Sequence, residues 1–172
     1  VEGSPKWEGP EGKSRRGWRK RFRKLGRFFR VRVLALDVGD VYIGVAVSDH
    51  LGITAQGLNT IKRTAPEEDL QKILELIKNL SASEVVIGLP RTLKGTSSIQ
   101  TEKVKAFAEN LKGKIAIPVS LWDERFTTKI ALQNLKLGKQ KPSRKKGLAD
   151  RVAAMIILQD YLNFRKMRNP DV

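Results

Sequence analysis

VRVLALDVGDVYIGVAVS, residues 31–48, is the stretch that decides the fold. Residues 31–36 and 42–48 are apolar and rich in β-branched side chains, and the Gly39-Asp40 pair between them is a turn signal. Two such runs joined by a tight turn specify an antiparallel hairpin. Asp37 follows the apolar stretch Val33-Leu34-Ala35-Leu36 at the carboxyl end of the first strand, and Gly39 just beyond it leaves open space. An anionic oxygen beside open backbone is what a metal-associated phosphate requires. The alternative is an Asp that caps the turn.

Working outward, strand-like and helix-like segments alternate. A third strand is expected at 58–62. A helix then starts at Thr64, with Pro66 in its first turn and Glu67 completing a capping-box pattern. Leu70, Ile73, Leu74, Ile77 and Leu80 form its apolar face. Residues 84–89, containing Val85-Val86-Ile87 and ended by Pro90, read as a strand covered on both sides. A helix over 98–111 buries Val104, Phe107, Ala108 and Leu111, with Gly113 as its stop. Residues 117–122 give the fifth strand. A helix from Thr127 or Thr128 buries Ile130, Ala131 and Leu135, and Lys/Arg-rich residues 138–147 read as a loop. The last helix, 148–164, is apolar nearly all round from Val152 to Leu158, so it should be covered on more than one side.

Three strands joined by turns, then two reached through helices, predict an α/β fold with a mixed five-stranded sheet flanked by helices, the order of RNase H. The first, fourth and fifth strands would be parallel, with their carboxyl ends along the edge where open α/β sheets place ligands.

Composition narrows the function. The chain of 172 residues suits one buried core rather than two, and 34 Lys and Arg against 18 Asp and Glu give a net charge of +16. That field attracts polyanions, although a heavily charged surface alone would look the same. There is no cysteine, which excludes disulfides, thiolate metal sites and a thiol nucleophile. No apolar run reaches the length of a membrane span and no secretory pattern is present, so a cytoplasmic location is expected. Residues 1–30 carry +8 of the charge and are expected to be a basic, flexible tail. Within it Trp18, Phe22, Leu25, Phe28 and Phe29 recur at the spacing of an amphipathic helix over 15–30. The domain would span 31–164, followed by a short tail, 165–172.

Two further acidic positions converge on the predicted edge. Asp123-Glu124-Arg125 ends the fifth strand, where alternation lets only one of the two carboxylates face a given side. Glu124, longer by one methylene, is the preferred ligand over Asp123. An ion-paired strand end is the alternative. Asp150 shares a helical stripe with Ala153, Ala154, Ile157 and Tyr161, so its carboxylate needs a cation or another partner unless it sits in an exposed first turn. Asp37, Glu124 and Asp150 are thus the candidate catalytic residues, with Asp123 as a further candidate metal ligand. Two divalent cations about 3.5–4 Å apart between such carboxylates activate water and stabilise a departing phosphodiester oxygen. Arg91, Lys94 and Arg125 are candidate phosphate clamps, and Lys136, Lys139, Lys141, Arg144, Lys145 and Lys146 a basic strip that could close over a nucleic-acid strand. His50, the single histidine, reads as a turn residue.

The ordered set Asp37-Val-Gly39, Ile43-Gly44-Val-Ala-Val-Ser48-Asp49, Val86-Ile-Gly88-Leu-Pro90, Gly95, Asp123-Glu-Arg-Phe-Thr-Thr128 and Asp150-Arg-Val-Ala-Ala154 resembles the motifs of the YqgF/RuvX family over residues 31–164. The resemblance implies an RNase H-like fold and a Mg2+- or Mn2+-dependent nuclease that processes the 5′ end of precursor 16S rRNA. Resolution of Holliday junctions in branched DNA by a homodimer is the alternative activity, and a non-catalytic nucleic-acid-binding module the alternative class. The chain departs from the pattern at Val41 and Tyr42, where the family usually has basic residues, and at Lys94, where it has an acidic one.

Overall fold

The computed structural model describes residues 32–90, 98–123 and 142–168, with side chains from residue 147 onward in the last stretch. The hairpin forms as its turn dictates: Gly39 donates its N–H to the Tyr42 carbonyl (3.0 Å). A Cβ at Gly39 would lie 2.8 Å from that oxygen, so the closure needs glycine. Strands β1 (Val33–Val38) and β2 (Tyr42–Ser48) pair antiparallel from Leu34↔Val47 to Val38↔Ile43. β1 ends two residues later than the apolar run suggests, because Asp37 keeps its place in the ladder opposite Gly44.

The third strand is split. β3 (Ala55–Gly57) and β4 (Ile61–Lys62) both pair antiparallel with β2. Val47 pairs with Leu34 and Gln56, and Ile43 with Val38 and Ile61, so both pieces lie on the edge of β2 opposite β1. One lane therefore holds two short strands, and the six segments fill the expected five lanes.

Helix α1 (Pro66–Asn79) starts one residue later than the capping-box reading, which the structure corrects. Pro66 forces the residue before it into extended backbone, so Ala65 (φ −119°, ψ 149°) becomes the N-cap and Pro66 the first helical residue. Asp69 replaces the capping box. Its carboxylate, 1% exposed, accepts from the Thr64 N–H (3.0 Å) and from Arg63 Nε (3.1 Å).

β5 (Glu84–Leu89) forms where read. Helix α2 (Ile99–Lys114) is capped by Ser98, which forms a reciprocal box with Thr101. Gly113 does not stop it. The helix runs on until Ile115 turns extended to pack, with Ile117 and Val119, on the core. β6 (Val119–Asp123) begins after Pro118, which has no N–H for the ladder. Helix α3 (Pro142–Arg168) corrects the other boundary reading: residues 142–147, expected in a loop, are helical, with proline at the favourable first position. At its far end the helix runs past residue 164 to Arg168, whose guanidinium lies 5.1 Å from the Phe164 ring centre. The expected helix near Thr127 and the tail 1–30 lie outside the described residues.

The sheet order is β3-β2-β1-β5-β6, with β5 parallel to both β1 and β6. One face carries Leu34, Leu36, Val85 and Ile87 against Ile73 of α1 and Val104, Ala108 and Leu111 of α2. The other carries Val33, Ala35, Ala46 and Val86 against Ala154, Ile157, Leu158 and Leu162 of α3. Each fully buried aliphatic side chain contributes about 1.5–3 kcal/mol of transfer free energy, which fixes α3 across β1 and β2. At the amino end of β5, the Tyr161 hydroxyl donates to Glu84, and Arg165 pairs with the same carboxylate (3.2 Å). Burial first, then that hydrogen bond, raises the Tyr161 phenol above its ordinary range. No helix among the described residues is long and apolar enough to cross a membrane.

Candidate active site

Asp37 is half-buried at the carboxyl end of β1 and shares the strand parity of Val33 and Ala35, which face α3. Its partner across the hairpin is Gly44. The backbone of α3 lies directly on that glycine: a Cβ at position 44 would sit 2.0 Å from the Asp150 carbonyl oxygen and 3.3 Å from Asp37 Cβ. Two of the predicted acids, far apart in the chain, therefore meet over one glycine.

Their proximity has an electrostatic signature. Burial, and then the negative charge of Asp150, push the Asp37 carboxyl up from 3.8 to about 6. Carboxylate oxygens are hard donors of the kind that divalent cations prefer. Among the described residues no cluster of three or more His, Cys, Asp or Glu is placed to hold such an ion.

A pH dependence follows. The folded pKa of Asp37 is raised, so its contribution to stability is fully present below about 3.8 and is lost as pH rises through about 6. In metal-free protein the loss is on the order of 3 kcal/mol or less. Mg2+ or Mn2+ should therefore raise the melting temperature strongly at pH 8 and little at pH 4.5. A metal-induced shift that is the same at both values would contradict ionisation of Asp37 as the cause.

The turn after Asp37 is pinned by residues that the sequence did not single out. Arg63 donates to the Gly39 carbonyl (2.9 Å) and Gln100 Nε2 to the Val38 carbonyl (2.9 Å). Lys103 pairs with Asp40 at 2.7 Å, and this hydrogen bond, ahead of the charge itself, holds the Asp40 carboxyl below its ordinary range. Thr101 Oγ1 donates to the Pro90 carbonyl at the end of β5 (2.6 Å). The start of α2 thus anchors the carboxyl ends of both β1 and β5. Gly44 was legible as a glycine inside a strand, a common mark of close backbone approach, and as part of the motif set that carries the family resemblance.

Asp123 ends β6, separated from β1 by β5. It lines an open cavity at the sheet edge with Trp122, Asp160 and Phe164. In register it is level with Leu89, one step past the level of Asp37, so Trp122 rather than Asp123 has the parity of Asp37. Two strand spacings of about 4.8 Å add to this separation. Glu124, Arg125, Arg91, Lys94 and Lys141 lie outside the described residues. Arg144, Lys145 and Lys146 belong to the first turns of α3, not to a loop. His50 lies in a turn and bonds Arg32 through Nε2 (2.6 Å).

A family model described as "RuvX: Holliday junction resolvase" matches residues 31–164. A Clostridium acetobutylicum protein named "Putative pre-16S rRNA nuclease" is 44% identical over 133 residues, which cover 77% of this chain and 98% of that protein. A Thermoanaerobacter pseudethanolicus protein of the same name is 43% identical over 138 residues, 79% of this chain and 99% of its own length. Among solved structures, T. thermophilus RuvC in complex with a Holliday junction substrate superposes with a TM-score of 0.52 at 15% identity, covering 78% of this chain and 96% of RuvC. That likeness is one of fold, and it agrees with the RNase H-like order read from the strands. The extent of the family match and the identity to relatives covered almost end to end place this chain in the RuvX family.

Proposed function

We propose that this protein is a divalent-metal-dependent endonuclease that hydrolyses phosphodiester bonds at the 5′ end of precursor 16S rRNA. The observation that carries the reading is the meeting of Asp37 and Asp150 over Gly44 at the carboxyl edge of the parallel strands. The names of the relatives, which span nearly their full length on this chain, support the substrate.

In this reading Asp37 and Asp150 hold Mg2+ or Mn2+, and a bound cation supplies Lewis-acid stabilisation of charge on the phosphodiester. Glu124 supplies the third carboxylate in preference to Asp123, because its side chain is longer by one methylene and reaches further across the sheet edge. Arg91, Lys94, Arg125, Lys141, Arg144, Lys145 and Lys146 contact substrate phosphates, consistent with the net charge of +16. Hydrolysis then needs no covalent intermediate. Work on a ribosomal precursor places the protein in the cytoplasm, and a single cut requires only a monomer.

The test is incubation of purified protein with precursor 16S rRNA and with four-way-junction DNA, with and without Mg2+ or Mn2+. Metal-dependent cutting of the RNA is expected. Paired symmetric cuts in the junction by a dimer, with the RNA intact, would replace the RNA reading with resolution of branched DNA. Salt-sensitive binding without turnover in any metal would leave only a binding module.

A further inference from the structure

We infer that Gly44 is a positioning residue for the cation grip, its missing side chain setting the depth at which α3 seats on β2 and hence the separation of the Asp37 and Asp150 carboxylates. The inference rests on the nuclease reading and names a residue on which that grip depends. The geometry is specific. A Cβ at Gly44 would come 2.0 Å from the Asp150 carbonyl oxygen and 2.6 Å from its carbonyl carbon. These are backbone atoms of a helix whose next turns are locked by Ala154, Ile157 and Leu158, all essentially buried. No rotamer change relieves such an overlap.

To reach ordinary contact the helix must lift by roughly 1 Å or more at Asp150. Cation sites tolerate ligand displacements of only about 0.2 Å. Asp37 meanwhile stays in the β1 ladder opposite position 44. The two oxygens would therefore part by several times what one ion can bridge.

Gly57 provides an internal comparison under the same helix. A Cβ there would meet Met155 Sδ at 2.7 Å and Arg151 Cγ at 2.8 Å. Both belong to flexible side chains, which can swing aside without moving the α3 backbone. A helix-packing glycine and a site-positioning glycine are thus distinguishable in one molecule.

The experiment measures Mn2+ binding to the full chain by electron paramagnetic resonance, alongside thermal unfolding, for Gly44→Ala, Gly57→Ala, Asp150→Glu and the double variant Gly44→Ala/Asp150→Glu. Gly44→Ala is expected to weaken Mn2+ binding by about tenfold or more, the scale seen when supporting groups of a metal site are lost. Gly57→Ala should leave binding within about twofold and lose less thermal stability than Gly44→Ala, because side chains rather than helix backbone give way. Asp150→Glu alone overshoots the fixed seat and also weakens binding about tenfold, yet in the Gly44→Ala background the longer arm recovers most of the loss. Equal Mn2+ affinity of Gly44→Ala and Gly57→Ala would overturn the inference. If Gly44→Ala cannot be purified, Asp150→Glu decides: unchanged affinity means the helix adjusts freely and no seat fixes the spacing. Absence of Mn2+ binding by the unaltered protein would remove the nuclease reading and this inference with it, whereas binding by the unaltered protein without the Gly44 effect removes the inference alone.

Discussion

Asp37→Asn protein is expected to lose cleavage by roughly a thousandfold or more while gaining stability without metal at neutral pH. The two effects have opposite signs for one physical reason. Asparagine keeps the shape and the half-buried position of the side chain but removes the charge. Folding currently opposes that charge, as the carboxyl raised to about 6 by burial and by Asp150 records. The gain should therefore build up between about pH 4 and pH 6, be complete above that, and vanish near pH 4, where the native carboxyl is protonated in any case. On the proposed reading the same substitution would take an anionic oxygen from the cation site, and no second donor could compensate on the same strand, because Val38 and Leu36 face the opposite side. Cleavage assays in Mg2+ and Mn2+, with melting curves at pH 4.5 and 8, check both halves. Full activity in the asparagine protein would remove Asp37 from the mechanism.

Asp69→Ala should destabilise the fold by about 3 kcal/mol, or roughly 6–12 °C in melting temperature. Asp69 is 1% exposed and holds the Thr64 N–H and the Arg63 guanidinium, which is itself about a quarter exposed. Alanine leaves one buried amide without its acceptor and one cation without its counter-charge. The exposure of Arg63 keeps the expected loss at the lower end for a broken buried pair. Asp69→Asn retains an acceptor for Thr64 and should lose about half as much. Arg63 also donates to the Gly39 carbonyl, just past Asp37. Asp69→Ala should therefore weaken metal binding more than an equally destabilising truncation in α3 remote from this turn, such as Leu162→Ala. Equal metal affinity in these two variants would show that the Arg63 tie is not felt at the site.

Local pattern alone marked the 31–48 hairpin, the buried β5 run, the apolar faces of both helices beneath the sheet, and Asp37 and Asp150 as acids in apolar settings. These features are periodic or turn-encoded, so they are written in neighbouring residues. Boundaries were less legible where a proline or a packing contact chose between comparable local options. Pro66 moved the cap to Ala65 once Asp69 folded back on Thr64; Ile115, drawn into the core, carried α2 through Gly113; and proline at 142 turned a basic stretch into helix.

The sequence by itself determined that a strand ends in an acid and that another acid rides on an apolar helix. Only the tertiary structure decided that they meet, because the spacing between them is set by how deeply α3 sinks onto Gly44. That depth depends on which helix crosses which strand, and on excluded volume between backbone atoms more than a hundred residues apart.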